Sequence, residues 1–236
     1  MVSRGAWLEA RKHLLGKEKE FTHLRDQLSE ARRDLPWERV EKEYVFEGAH
    51  GSMTLAELFD GRSQLVVYHA MFDPATASPS TPWTEDAACP YCSWWADNFN
   101  GIVVHLNHRD VTLVAVSRAP YAKIAAYEQR MGWTFPWVSS GNGDFNFDYR
   151  VSFTAQELAE KKADYNYTIH ADHSEMPGAS VFIKDAAGTI FHTYSTYARG
   201  LDMLNVAYHY LDLVPKGRDE GSRGPYWVRR HDEYEG

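Results

Sequence analysis

The stretch Gln64-Leu65-Val66-Val67-Tyr68-His69-Ala70, a proline-punctuated connection, and then Cys89-Pro90-Tyr91-Cys92-Ser93-Trp94-Trp95 decide the fold. The first segment is rich in β-branched and aromatic residues, as a buried strand requires. After the cysteines, Trp95, Phe99, Ile102 with Val103, and Leu106 return at helical spacing and predict one amphipathic helix. A cysteine opening a helix faces unpaired N–H groups and the positive end of the helix dipole, and both favour thiolate. Two intervening residues put the second sulfur one turn away, close enough to form a disulfide. Pro90 suits the first turn, where its missing N–H would have had no partner. On this reading Cys89 is the exposed, attacking thiolate and Cys92 the more buried, resolving thiol, and redox chemistry rests on Cys89 being accessible.

Working outward, Val111–Val116 reads as a second buried strand, followed by a helix over Tyr121–Met131 that stops at Gly132. Strand, helix, strand, helix implies parallel crossovers within an α/β sheet. Upstream, Tyr44–Phe46 and a turn over Gly48–Gly51 suggest a hairpin, and Thr54 with Glu57 fits a capping box ahead of a short helix. Downstream, Ser180–Lys184 and Thr189–Tyr194 flank a turn and predict an antiparallel hairpin. Trp133–Tyr149 reads as an aromatic covering loop, Thr154–Lys162 as a helix, and Leu201–Leu211 as a final helix. The connection 72–88 is long for a strand-to-helix link and is expected to be functional or a surface insertion.

Residues 1–40 form a helical extension. Trp7, Leu14, Phe21 and Leu28 fall seven apart, supported by Ala10, Leu24 and Ala31. Such a stripe either packs along its own domain or makes a homodimer contact. Residues 41–215 are the expected main domain, and 216–236 a solvated C-terminal tail.

Composition bounds the partners. The chain has 236 residues, 44% hydrophobic, and a net charge of −8 with no clustered basic block, which argues against nucleic acid. No window approaches a membrane span, and residues 1–19 carry no apolar leader core, so a reducing cytoplasm is the expected setting. There, two cysteines at CxxC spacing read as redox-active or metal-binding rather than as a structural staple.

The strings Tyr44–Gly48, Leu58–His69, Cys89–Phe99, Phe145–Asp148 and His192–Gly200 resemble a widespread bacterial family of thioredoxin-like proteins, often labelled predicted dithiol-disulfide oxidoreductases or isomerases. The resemblance implies a thioredoxin-like fold, a central mixed sheet flanked by helices, with Cys89 and Cys92 as the active pair. Ala87 and Ala88 stand where thioredoxin has a Trp. If the strands match, Val67 stands in place of thioredoxin's buried acid. The long connection is more like that of peroxiredoxin-like members. Pro177 is the counterpart of the thioredoxin cis-proline, expected beside the dithiol.

The implied activity is thiol-disulfide exchange on a disulfide-containing protein or a small thiol or oxidised substrate, with a separate reductant and no cofactor. Pro177, Trp83 and Tyr91 are the expected substrate contacts, and Trp94, Trp133 and Trp137 are candidates for the same cleft. The alternative is a metal-binding or metal-delivery site formed by Cys89, Cys92 and His69. His69, at the end of its strand, is also a candidate to tune Cys89. Asp144 and Arg199 read as an ordinary ion pair.

Overall fold

In the computed structural model, which describes residues 1–72, 86–167 and 169–235, the chain divides into two units, Met1–Glu38 and Arg39–Gly236. The first contains a single 30-residue helix, α1 (Arg4–Arg33). The Ser3 hydroxyl accepts the Ala6 N–H at its start, and Arg32 and Arg33 sit in its last turn, where the dipole favours cations. None of its residues is buried. A two-residue strand, β1 (Glu38–Arg39), lies at the junction.

The second unit is built on a mixed sheet. Its strands are β2 (Val45–Gly48), β3 (Gly51–Thr54), β4 (Gln64–His69), β5 (Val111–Ser117), β6 (Trp137–Ser139), β9 (Gly178–Lys184) and β10 (Ile190–Tyr197). They run in the order β10-β9-β4-β5-β6-β2-β3. The central three are parallel, whereas β9 is antiparallel to β4 and β10 to β9. A further pair, β7 (Asp164–Tyr165) and β8 (Ile169–His170), stands apart from this sheet. This is a thioredoxin-like arrangement, with parallel strands extended by an antiparallel hairpin and preceded by a second hairpin.

Strand alternation sorts the core into two layers. Val66 and Tyr68 of β4, with Leu113 and Ala115 of β5, face one layer. It also holds both cysteines, α2 (Pro90–Ala96), the Phe99 end of α3 (Phe99–His108), and α4 (Tyr121–Met131). Leu65, Val67, Val114 and Val116 face the other, against Phe46, Leu58, Phe59, Phe145 and Phe182. Leu65–Tyr68 of β4 and Leu113–Val116 of β5 are therefore apolar on both faces, as expected of strands covered on two sides.

Several local expectations are met in altered form. The single helix after the cysteines is two: α2 ends at Asp97, and Asn98 turns its amide onto the Trp94 and Trp95 carbonyls at 3.4 and 3.2 Å. Trp133 Nε1 donates to Asp97 at 3.0 Å, so a tertiary contact fixes the break. Helix α4 stops at Gly132, whose φ of 65° closes it. The aromatic loop contains β6 and the one-turn helix α5 (Phe145–Asp148). The capping box at Thr154 opens only α6 (Ala155–Ala159). The predicted last helix is a 3-10 segment, Ala198–Leu204, then α7 (Val206–Leu211), which restarts at Asn205 because its side chain accepts the Tyr208 N–H.

The C-terminal stretch is not the solvated chain its charges suggested. Val228 is buried against Trp94 and Tyr208. His231 Nδ1 lies 2.6 Å from Asp97, Arg130 pairs with Asp232 at 2.6 Å, and Arg230 is buried on the Ala88 carbonyl. These ions have folded partners, which an exposed tail would lack.

Candidate functional site

Both cysteines open α2, with Cys89 at the N-cap and Pro90 in the first turn. Met71, two residues beyond β4, holds them from both sides. Its carbonyl accepts the Cys89 N–H at 3.0 Å, and its own N–H donates to Cys92 Sγ at 3.3 Å. Ser93 Oγ donates to the Cys89 carbonyl at 2.9 Å and meets the Tyr127 hydroxyl at 2.7 Å, which ties the turn to α4. The thiols are free.

The expected exposure of Cys89 is not found. Cys89 is 0% exposed and Cys92 2%. Ala87 and Ala88, also buried, lead into the motif and bring Cys89 into the core. Burial pushes the Cys89 thiol well above the usual value; the helix amides of Tyr91 and Cys92 favour its anion but are outweighed. Burial also pushes Cys92 up. There, however, the Cys89 thiol, the Met71 N–H and the Tyr68 hydroxyl together prevail and hold it below the ordinary thiol range. Cys92 is thus the more acidic of the two.

Cys92 also lines a cavity of about 340 Å³. Tyr91 and Pro177, both expected substrate contacts, line it as well, together with Met71, Met176 and Leu201. Trp95 forms part of the wall, its indole N–H donating to the Leu201 carbonyl at 2.9 Å. The tryptophans expected in the cleft lie elsewhere. Trp94 packs with Tyr208 and Trp227, and Trp133 and Trp137 belong to the core. Trp83 lies outside the described residues. Sequence reasoning passed over Tyr68, Met71, Trp95 and Met176, and weighed His173 only as a metal ligand. The available signal was position: Tyr68 and Met71 flank the end of the strand that leads to the dithiol, and Met176 precedes Pro177.

Among the described residues no peptide bond is cis, so the bond before Pro177 is trans, contrary to the counterpart drawn from thioredoxin. The Met176 N–H bonds to the Val151 carbonyl at 2.8 Å, and the Pro177 carbonyl accepts the Tyr165 hydroxyl at 2.6 Å. The backbone here is already engaged with its own core. Gly178 follows in a tight channel, where a Cβ would stand 2.8 Å from Val151 Cγ1 and 2.9 Å from Tyr197 Cδ1.

The metal alternative is not assembled. Among the described residues no three His, Cys, Asp or Glu side chains gather as a ligand set. His69 falls on the sheet face opposite Tyr68, where it packs beside Phe145 and Tyr149 and is hydrogen-bonded to Ser180 Oγ at 2.9 Å. The alternation of β4 alone removes it from the dithiol, both as a ligand and as a tuning group. His105 and His108 are exposed on α3. Asp144 pairs with Lys42 at 2.6 Å and Arg199 with Asp202 at 3.0 Å, so the expected Asp144–Arg199 pair does not form. Among the described residues no helix is long and apolar enough to cross a membrane.

Fold and site together define a thioredoxin-like α/β protein with a paired-cysteine turn between its central strand and the helix that follows. Over residues 1–234 the chain matches the family described as "Bacterial protein of unknown function (DUF899)", and it belongs to that family. No curated protein matches it. Its similar solved structures include peroxidoxin BcpB from Mycobacterium tuberculosis, at 13% identity and a TM-score of 0.45, covering 72% of this chain and 93% of that one. Another is peroxiredoxin Q from Xanthomonas campestris, at 16% and 0.47, covering 74% and 96%. A third is the mitochondrial 2-Cys peroxiredoxin from Plasmodium falciparum, at 12% and 0.43, covering 75% and 94%. Likenesses this distant assign no chemistry to the chain.

Proposed function

We propose that this protein is a dithiol-disulfide oxidoreductase of the reducing cytoplasm that cycles between the two free thiols and a Cys89–Cys92 disulfide. The observation that carries the reading is Cys92 Sγ, on a cavity wall, accepting the Met71 N–H, with a second thiol one turn away. It assigns the roles in the reverse of the order that the sequence suggested. Cys92 thiolate attacks one sulfur of a disulfide R–S–S–R′, forming Cys92–S–S–R and expelling R′S⁻. Cys89 then gives its proton to the departing thiolate and attacks the Cys92 sulfur, expelling RS⁻ and closing the internal disulfide. The substrate gains two electrons and the protein loses two, which an external dithiol restores.

Mass spectrometry of the two serine variants with a small disulfide tests it. Cys89→Ser should accumulate the adduct on Cys92, and Cys92→Ser should lose turnover. Full activity in Cys92→Ser would overturn the proposal.

A further inference from the structure

Resting on that reading, we propose that the cavity selects small apolar disulfides over charged small-molecule disulfides and protein disulfides. At about 340 Å³ it is at the small end of ligand pockets and large enough for a compact organic molecule. Met71, Trp95, Met176, Pro177 and Leu201 supply thioether, indole and aliphatic surface. Among the described residues the wall contains no Lys, Arg, Asp or Glu, and His173 is its one imidazole. A ligand bearing carboxylates would give up their hydration here beside the Cys92 thiolate, with no Lys or Arg on the described wall to meet them. A protein disulfide has a different obstacle. Cys92 is 2% exposed, so its sulfur is reached through the cavity, and a folded surface cannot follow it in.

The experiment mixes the reduced protein with di-n-propyl disulfide, bis(2-hydroxyethyl) disulfide, glutathione disulfide or insulin, and follows thiol loss. Each rate is divided by that of free dithiothreitol with the same compound, which removes intrinsic reactivity. The dipropyl compound should lead the other small disulfides by at least about tenfold, with insulin slowest, and Met176→Glu should collapse the lead. Equal normalised rates, or insulin fastest, would overturn the selectivity and leave the oxidoreductase reading standing. Failure of all four to oxidise the protein would overturn the oxidoreductase reading, and the selectivity with it.

An independent observation concerns α1, from which we infer a parallel two-stranded coiled coil with a second copy of this chain. Within its own unit α1 has no buried residue, and Trp7, Leu14, Phe21, Leu24 and Leu28 are each about half or more exposed. With Trp7, Leu14, Phe21 and Leu28 as the first seam, Ala10, Lys17, Leu24 and Ala31 form the second. Parallel pairing sets His13 of one copy against Glu18 of the other, and Glu20 against Arg25. The antiparallel register that keeps Leu14 against Leu24 instead opposes Glu18 to Glu18, Glu20 to Glu20 and Arg11 to Arg25.

Sedimentation of the full chain should give a dimer that Leu14→Glu dissociates. Phe21→Cys in a Cys89→Ser, Cys92→Ser background should cross-link across the seam on oxidation. A monomeric wild type, or a dimer that Leu14→Glu leaves intact or Phe21→Cys fails to cross-link, would overturn the assignment.

Discussion

The Arg230 guanidinium closes on the carbonyl oxygen of Ala88, with Nη2 at 2.6 Å and Nε at 3.0 Å, across 142 residues of sequence. It grips the residue immediately before Cys89, and Glu233 balances its charge at 2.9 Å. Arg230→Ala leaves a buried carbonyl unpartnered, and should cost about 2–4 kcal/mol in urea unfolding. Arg230→Lys, with a point charge in place of the planar fork, should recover only part of that.

Cys92 should be alkylated before Cys89 at neutral pH. One sulfur is the more acidic and lines the cavity, and the other is wholly enclosed with its thiol form favoured. Peptide mapping after brief iodoacetamide treatment should find Cys92 modified by about tenfold more than Cys89.

His69 should weaken the fold in acid. Burial lowers its pKa from 6.5 to about 3, so between those values the unfolded chain binds a proton that the native state refuses. Stability therefore falls as pH drops through that window, by about 1.4 kcal/mol per pH unit for this group. Urea midpoints measured from pH 7 to pH 4 should fall less steeply in His69→Gln.

Glu128 on α4 has the opposite sign. Burial raises its pKa from 4.5 to about 7, so the native state holds on to a proton that the unfolded chain has lost. Its contribution is full below pH 4.5 and lost as pH rises through 7. Glu128→Gln should raise the melting temperature at pH 8 relative to wild type and leave it unchanged at pH 4.

Gly178→Ala should destabilise the protein by about 1–3 kcal/mol, because the added methyl overlaps Val151 and Tyr197 where β9 begins. Thermal unfolding of the purified variant measures it.

Much of the fold was legible because its signals are local. The β-branched run over Gln64–His69, the glycine stop at Gly132 and the β9–β10 hairpin each follow from a few adjacent residues. The break at Asp97–Asn98 was not, since the apolar spacing runs straight through it and a hydrogen bond from Trp133 settles the matter. The site was half legible. Cys92, Tyr91 and Pro177 meet at one cavity, but Trp94 and Trp95 are neighbours, and which of them faces it depends on the helix's rotation against Leu201. The enclosure of Cys89 could not be read from its surroundings, because Arg230 reaches Ala88 from nearly the far end of the chain.

The Met71 amide bears on energy as well as shape. A thiolate accepts that N–H far better than a neutral disulfide sulfur does, so closing the Cys89–Cys92 bond would largely strand a buried donor. If the pair cycles as proposed, that bias would favour the dithiol form and move the midpoint potential in the oxidising direction. In the proposed cycle the chain would therefore be a weaker electron donor to substrate disulfides than a counterpart without that amide.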